Sequence, residues 1–214
     1  MILDVRGVKK LAKTRTLLGV ACEMGNYNAV KILIEKGADV NEKNYRPPLN
    51  RETTPLLDVC LSRTKDDSFH IVHDLVEAGA DVDGEDSFGN TPLIYISNRS
   101  PFRDYDDSYT GKDDFVASGY IDQQIINYLL QEGADVNHNN DKGECPLVAS
   151  VWGVNLDTFK SLMQRHISKD SVEKALNEAR KSLNLYNEKQ RHMQFKEQKV
   201  KALEEMVKIM ENYK

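Results

Sequence analysis

The sequence is poor in the residues that would mark several common protein classes. It has three cysteines, Cys22, Cys60 and Cys145, an odd number at wide spacing. That count excludes a disulfide framework, and no CxxC pair or Cys/His cluster offers a zinc site. The expectation is reduced thiols in the cytoplasm. No apolar run approaches the ~20 residues of a membrane span. The first ten residues are broken by charge every few positions and lack the apolar stretch of a signal peptide. There is one tryptophan, and residues 168–214 contain neither proline nor glycine. A Gly-rich phosphate loop, a nucleophile elbow and an HExxH motif are all missing, so the reading is of a non-enzyme without cofactor.

Charge is unevenly spread. Residues 171–214 hold ten Lys and Arg against seven Glu, whereas the preceding 170 residues hold 19 basic against 27 acidic ones. The net charge of −5 argues against nucleic acid as partner. An acidic body steers towards a protein partner with a basic surface.

What the sequence does have is self-similarity. Gly-Ala-Asp-Val occurs at Gly37-Ala38-Asp39-Val40, Gly79-Ala80-Asp81-Val82 and Gly133-Ala134-Asp135-Val136, each after an apolar stretch ending in an acid. A second signature recurs as Thr54-Pro55-Leu56, Thr91-Pro92-Leu93 and Cys145-Pro146-Leu147, with Thr16-Leu17-Leu18 as a degenerate first copy. Thr16 to Gly37 spans 21 positions, and Gly79 to Thr91 and Gly133 to Cys145 span 12 each, which together give a period of 33. Physically, Thr caps a helix and Pro fits its first turn without losing a bond. Gly closes a following helix in a left-handed cap. Cys22 and Cys60 both stand six positions after their Thr, as small core residues.

These motifs resemble the ankyrin-repeat family, over residues 16 to about 166. The resemblance implies an all-α solenoid of about four helix-turn-helix repeats with β-turn tips, occupying 1–167. The period is broken in places. Gly37 to Thr54 is five longer than 12, the extra segment being 44–50, and Thr91 to Gly133 is 21 longer than expected, which places an insert near 98–120. That insert opens like a calcium loop at Asp104-x-Asp106-x-Ser108. Tyr109 then stands where glycine is needed and Phe115 where glutamate is needed, so no metal is expected.

Residues 168–214 read as helix. Apolar residues recur every seven positions from Val172 to Val207, but Gln190 and Glu197 occupy the companion row, which argues against a coiled coil. A helical hairpin broken near 184–187 and capping the repeats is the preferred reading, with the protein a monomer. Assembly of a scaffold through these helices is the alternative.

The resemblance implies protein binding through the turn tips and the face of the first helices. The partner could then be one that is bridged by an adaptor or blocked by a stoichiometric inhibitor of immunity or antitoxin type. Groove-facing positions hold Asp58, Tyr95 and Trp152, and the tips hold Phe88, Asn90 and Lys142. Tyr105 and Tyr109 in the insert complete the candidate contacts, since aromatic anchors dominate interfaces. His70 and His73 lie three apart beside Asp74 but lack a third ligand.

Overall fold

In the computed structural model the described residues are 15–46, 51–62, 66–101, 113–188 and 196–213. Helix starts follow the capping chemistry of the sequence. Thr16 accepts the Gly19 amide at 2.9 Å and opens α1 (Leu17–Met24), while Asn26 accepts the Ala29 amide and opens α2 (Tyr27–Glu35). Two short strands follow, β1 (Asn44–Arg46) and β2 (Arg51–Thr53). Thr54 and Thr91 cap α3 (Pro55–Leu61) and α5 (Pro92–Ser97), each with Pro in the first turn. Cys145 makes no side-chain cap bond, so α7 (Pro146–Trp152) relies on its proline alone. The second helices of these pairs are α4 (Ser68–Glu77), α6 (Asp113–Gln131) and α8 (Leu156–Met163). Two long helices complete the chain, α9 (Lys169–Glu188) and α10 (Lys196–Glu211).

The helices lie in two rows. Each of α1, α3, α5 and α7 packs on the next, and α2, α4, α6 and α8 do the same behind them. The hairpin of α9 and α10 continues both rows, with α9 against α7 and α10 against α8. The space between the rows is filled by Leu56, Ile71, Leu75, Leu93, Ile96, Ile125, Leu129, Leu147, Phe159 and Leu162, each at most 1% exposed. Burying such a side chain stabilises by about 1.5–3 kcal/mol. No pair could enclose these residues alone, so stacking supplies the core. On the side of α1 and α2 away from α3 and α4, Leu17, Met24 and Ile32 are exposed and border an apolar groove.

Gly37, Gly79 and Gly133 have φ of 80°, 92° and 90°, the left-handed caps that end the second helices. Just beyond them the Asn of Asp-Val-Asn stitches neighbouring turns. Asn41 donates to the Gly79 carbonyl at 2.9 Å and accepts the Asp81 amide at 2.8 Å. Asn137 does the same with the His166 carbonyl and the Ser168 amide. Asp83, the middle copy, can only accept, and takes the Asp135 amide at 3.0 Å. All three cysteines are buried free thiols, and desolvation pushes Cys60 up to about 12.

Where the period breaks after Asn44, β1 and β2 pair antiparallel with Asn44 opposite Thr53. Residues 113–120, the last part of the insert, form the first turns of α6. α9 continues through 184–187 as far as Glu188, because Asn costs a helix only about 0.7 kcal/mol while Leu183 and Tyr186 pack on the core.

Candidate protein-interaction surface

The first-row helices and the turns leading into them carry two polar networks. The first lies between α1, the β ribbon and α3. Asn44 is fully buried, accepts the Thr16 amide at 2.8 Å and donates to the Asp58 carboxylate at 2.6 Å. The Thr53 hydroxyl donates to the other Asp58 oxygen at 2.7 Å, and an Arg46 guanidinium nitrogen stands 3.4 Å away. Arg46 also reaches Glu23 at 2.9 Å, and Arg15 pairs with the same carboxylate. Burial pushes the Asp58 carboxyl up to about 6, against the opposing pull of Thr53, Asn44 and Arg46.

Gly19 makes room for this network. A Cβ there would stand 2.4 Å from the Asn44 amide carbon. Gly19→Ala is therefore expected to displace Asn44 and cost about 2 kcal/mol, within the range for overpacking. A thermal melt should fall by about 4–8 °C; an unchanged melt would show that Asn44 has another place to go.

The second network surrounds Asp86, which anchors the turn before α5. Its carboxylate accepts the Phe88 and Asn90 amides at 2.8 and 2.9 Å and the Tyr95 hydroxyl at 2.6 Å. Arg51 of β2 comes from the other side, its Nε 3.3 Å from Asp86 and a terminal nitrogen donating to the Tyr95 hydroxyl. The guanidinium carbon lies 5.1 Å from the Phe88 ring centre and 5.4 Å from that of Tyr95. This is cation–π contact with both rings. Burial, then Asp86, holds the Tyr95 phenol well above its ordinary pKa, so it stays a donor. Phe88 remains 43% exposed.

The next turn copies the plan. Asn140 stands five residues before Cys145, as Asp86 does before Thr91. Its side-chain oxygen accepts the Lys142 and Glu144 amides, and its nitrogen donates to Asn90 at 2.7 Å. The turns are further joined by the Asp141 amide donating to the Phe88 carbonyl at 3.1 Å.

The candidate residues thus divide. Phe88, Asn90 and Tyr95 meet around Arg51 and Asp86. Lys142 is exposed on the neighbouring turn. Trp152 is 40% exposed and donates to Glu178 of α9 at 3.4 Å. Asp58 is 0% exposed, its oxygens held by Asn44 and Thr53. Tyr105 and Tyr109 lie outside the described residues. Arg51, Asp86 and Asn140, which complete these networks, carry no motif that singles them out by type. The register five before each capping residue would have found Asp86 and Asn140.

Residues 14–45 match the family model of the ankyrin repeat. The matched segment covers α1, α2 and the turn beyond, and is similar to an ankyrin repeat. A comparison with curated proteins returned no match. Ankyrin repeats generally mediate protein–protein interaction. Among the described residues no group of three or more His, Cys, Asp or Glu side chains could hold a metal ion, and no helix is long and apolar enough to cross a membrane.

Proposed function

We propose that this protein is a non-catalytic binding module in which α1–α2, α3–α4, α5–α6 and α7–α8 form four ankyrin-like repeats of one solenoid. Residues 168–214 close its C-terminal end. In this reading the turn face around Phe88 grips a partner protein as an adaptor or a stoichiometric inhibitor, in the cytoplasm and as a monomer.

One observation carries the reading. Arg51 is held between the Phe88 and Tyr95 rings and fixed by Asp86, so an exposed aromatic ring stands on a rigid, hydrogen-bonded base. Rigid aromatic anchors lose little entropy on binding and are the usual energetic centres of interfaces. Lys142 on the next turn and Trp152 at the end of α7 would extend the contact along the first row. The case for a cap over assembly through α9 and α10 is that Leu203, Met206 and Met210 are buried inside the chain itself.

Affinity capture from the host lysate tests this, with wild type compared to Phe88→Ala and Phe88→Ala/Trp152→Ala, both checked for an unchanged melt. The expected result is one partner retained by wild type and bound about 30-fold more weakly after the Phe88 change, a hot-spot loss of about 2 kcal/mol. A partner held equally by the double variant would move the interface away from this face.

A further inference from the structure

The second row of helices carries a surface that plays no part in the reading above. Phe69, His70 and His73 of α4 meet Tyr27 of α2 and Tyr128 of α6. Ring centres lie 5.8 Å apart for Tyr27–His70, 6.0 Å for Phe69–His70 and 5.9 Å for Phe69–Tyr128. His73 and Tyr128 are stacked at 5.4 Å with planes 26° apart. Five rings therefore run in one connected row across three successive helices. Tyr27, Phe69 and Tyr128 are half-buried, while His70 and His73 are exposed.

The edges of this row are acidic. Asp74 lies 3.3 Å from the His73 ring nitrogen, and Glu77 accepts the Tyr128 hydroxyl at 3.4 Å. Both phenols feel this field. The Tyr27 pKa is raised foremost by its hydrogen bond to Asp74, and that of Tyr128 by desolvation and then by Glu132 and Glu77. Neither α4 nor α6 contains a Lys or Arg, and the basic residue nearest Tyr27 on α2 is Lys31, one turn on.

We propose that this row is a second docking surface, independent of the Phe88 face, and that it takes an arginine-bearing helix of a partner protein. Three features of the row fit that occupant. Guanidinium groups stack flat on aromatic rings and bond carboxylates with their edges, which an ammonium does less well. Four of the five ring spacings, 5.4 to 6.0 Å, are close to the about 5–6 Å between Cβ atoms three or four apart on a helix. The acids at the edges supply the complementary charge while the rings exclude water from one side of it.

The test is fluorescence anisotropy of the full chain with a labelled alanine-based helical peptide carrying arginines four apart, against the same peptide with glutamine in their place. Binding of the arginine peptide alone is expected. His73→Ala/Tyr128→Ala should weaken it about tenfold, the stacked ring pair that receives the guanidinium being removed, and Tyr128→Phe should not. Asp74→Asn/Glu77→Gln, which keeps every ring, should weaken it by a similar factor and guards against a ring variant that fails to fold. Phe88→Ala should bind as wild type. The proposal is overturned by failure of the arginine peptide to bind, by equal binding of the glutamine peptide, by indifference to the ring variants, or by loss on Phe88→Ala.

Discussion

Removing residues 168–214 is expected to abolish the cooperative unfolding of the protein and leave α7 and α8 disordered. The hairpin buries Val172, Ala175, Ala179, Ala202, Leu203, Met206 and Met210, of which Ala175, Ala179, Leu203 and Met206 are 0% exposed. On the other side of the same contact stand Val151, Phe159 and Leu162, also 0% exposed. Leu203, Met206 and Met210 alone account for about 5–9 kcal/mol at 1.5–3 kcal/mol per side chain. A domain's total stability is only about 5–15 kcal/mol. In a stacked array each pair answers to its neighbours, so the loss should begin at α7–α8 and weaken towards α1. Circular dichroism during heating, together with light scattering after gel filtration, checks this. The expected variant melts early and without a sharp transition. A variant that melts as wild type while changing from dimer to monomer would assign the hairpin to assembly and overturn the cap. Leu203→Ala offers a milder version, with an expected loss of about 2–5 kcal/mol.

How much of this was legible in the sequence depends on how local the cause is. Thr16, Thr54 and Thr91 cap helices by reaching an amide three residues away, so three-residue motifs announce them. Gly37, Gly79 and Gly133 end helices through their own φ, again a local matter. The pairing of α9 with α10 followed from an apolar row and the absence of proline and glycine. Non-local causes were harder. Asp58 stands at the position that looks toward the groove, and by register it reads as a contact residue. It is enclosed because Asn44, Arg46 and Thr53, members of a segment that breaks the repeat period, fold over it as a ribbon. Nothing in the period predicts what an insertion will cover. Arg51 is the same case: its partners Phe88, Tyr95 and Asp86 lie more than thirty residues downstream, and only the fold brings them to it. The start of α6 was hidden for a different reason. Residues 113–120 follow a polar, aspartate-rich stretch and contain Gly119, which interrupts a helical pattern in sequence although it does not forbid helix.

Asp58→Ala should be the most damaging single substitution on the first-row face, and its cost should depend on pH. The side chain is fully buried and joins three partners, so its loss leaves the Asn44 amide nitrogen without that acceptor, Arg46 with Glu23 alone and Thr53 with only the Asn44 carbonyl. Removing one member of a buried charged group costs about 3–5 kcal/mol. The ribbon should loosen first, visible as faster hydrogen exchange at the amides of Asn44–Arg46 and Arg51–Thr53. The pH dependence follows from the Asp58 carboxyl being pushed from 3.8 to about 6 by burial. Between those values the folded chain holds a proton that the unfolded chain has released, so this group's contribution to stability falls as pH rises and levels off above about 6. The alanine variant lacks that dependence. The difference between wild type and variant in urea unfolding should therefore be larger at pH 4.5 than at pH 8, by about 2 kcal/mol at 1.36 kcal/mol per pH unit. Comparing the two proteins at each pH cancels groups that titrate alike in both. A gap that widens towards pH 8 would mean that the ion pair with Arg46 outweighs desolvation, and that the carboxyl is held ionised in the folded chain.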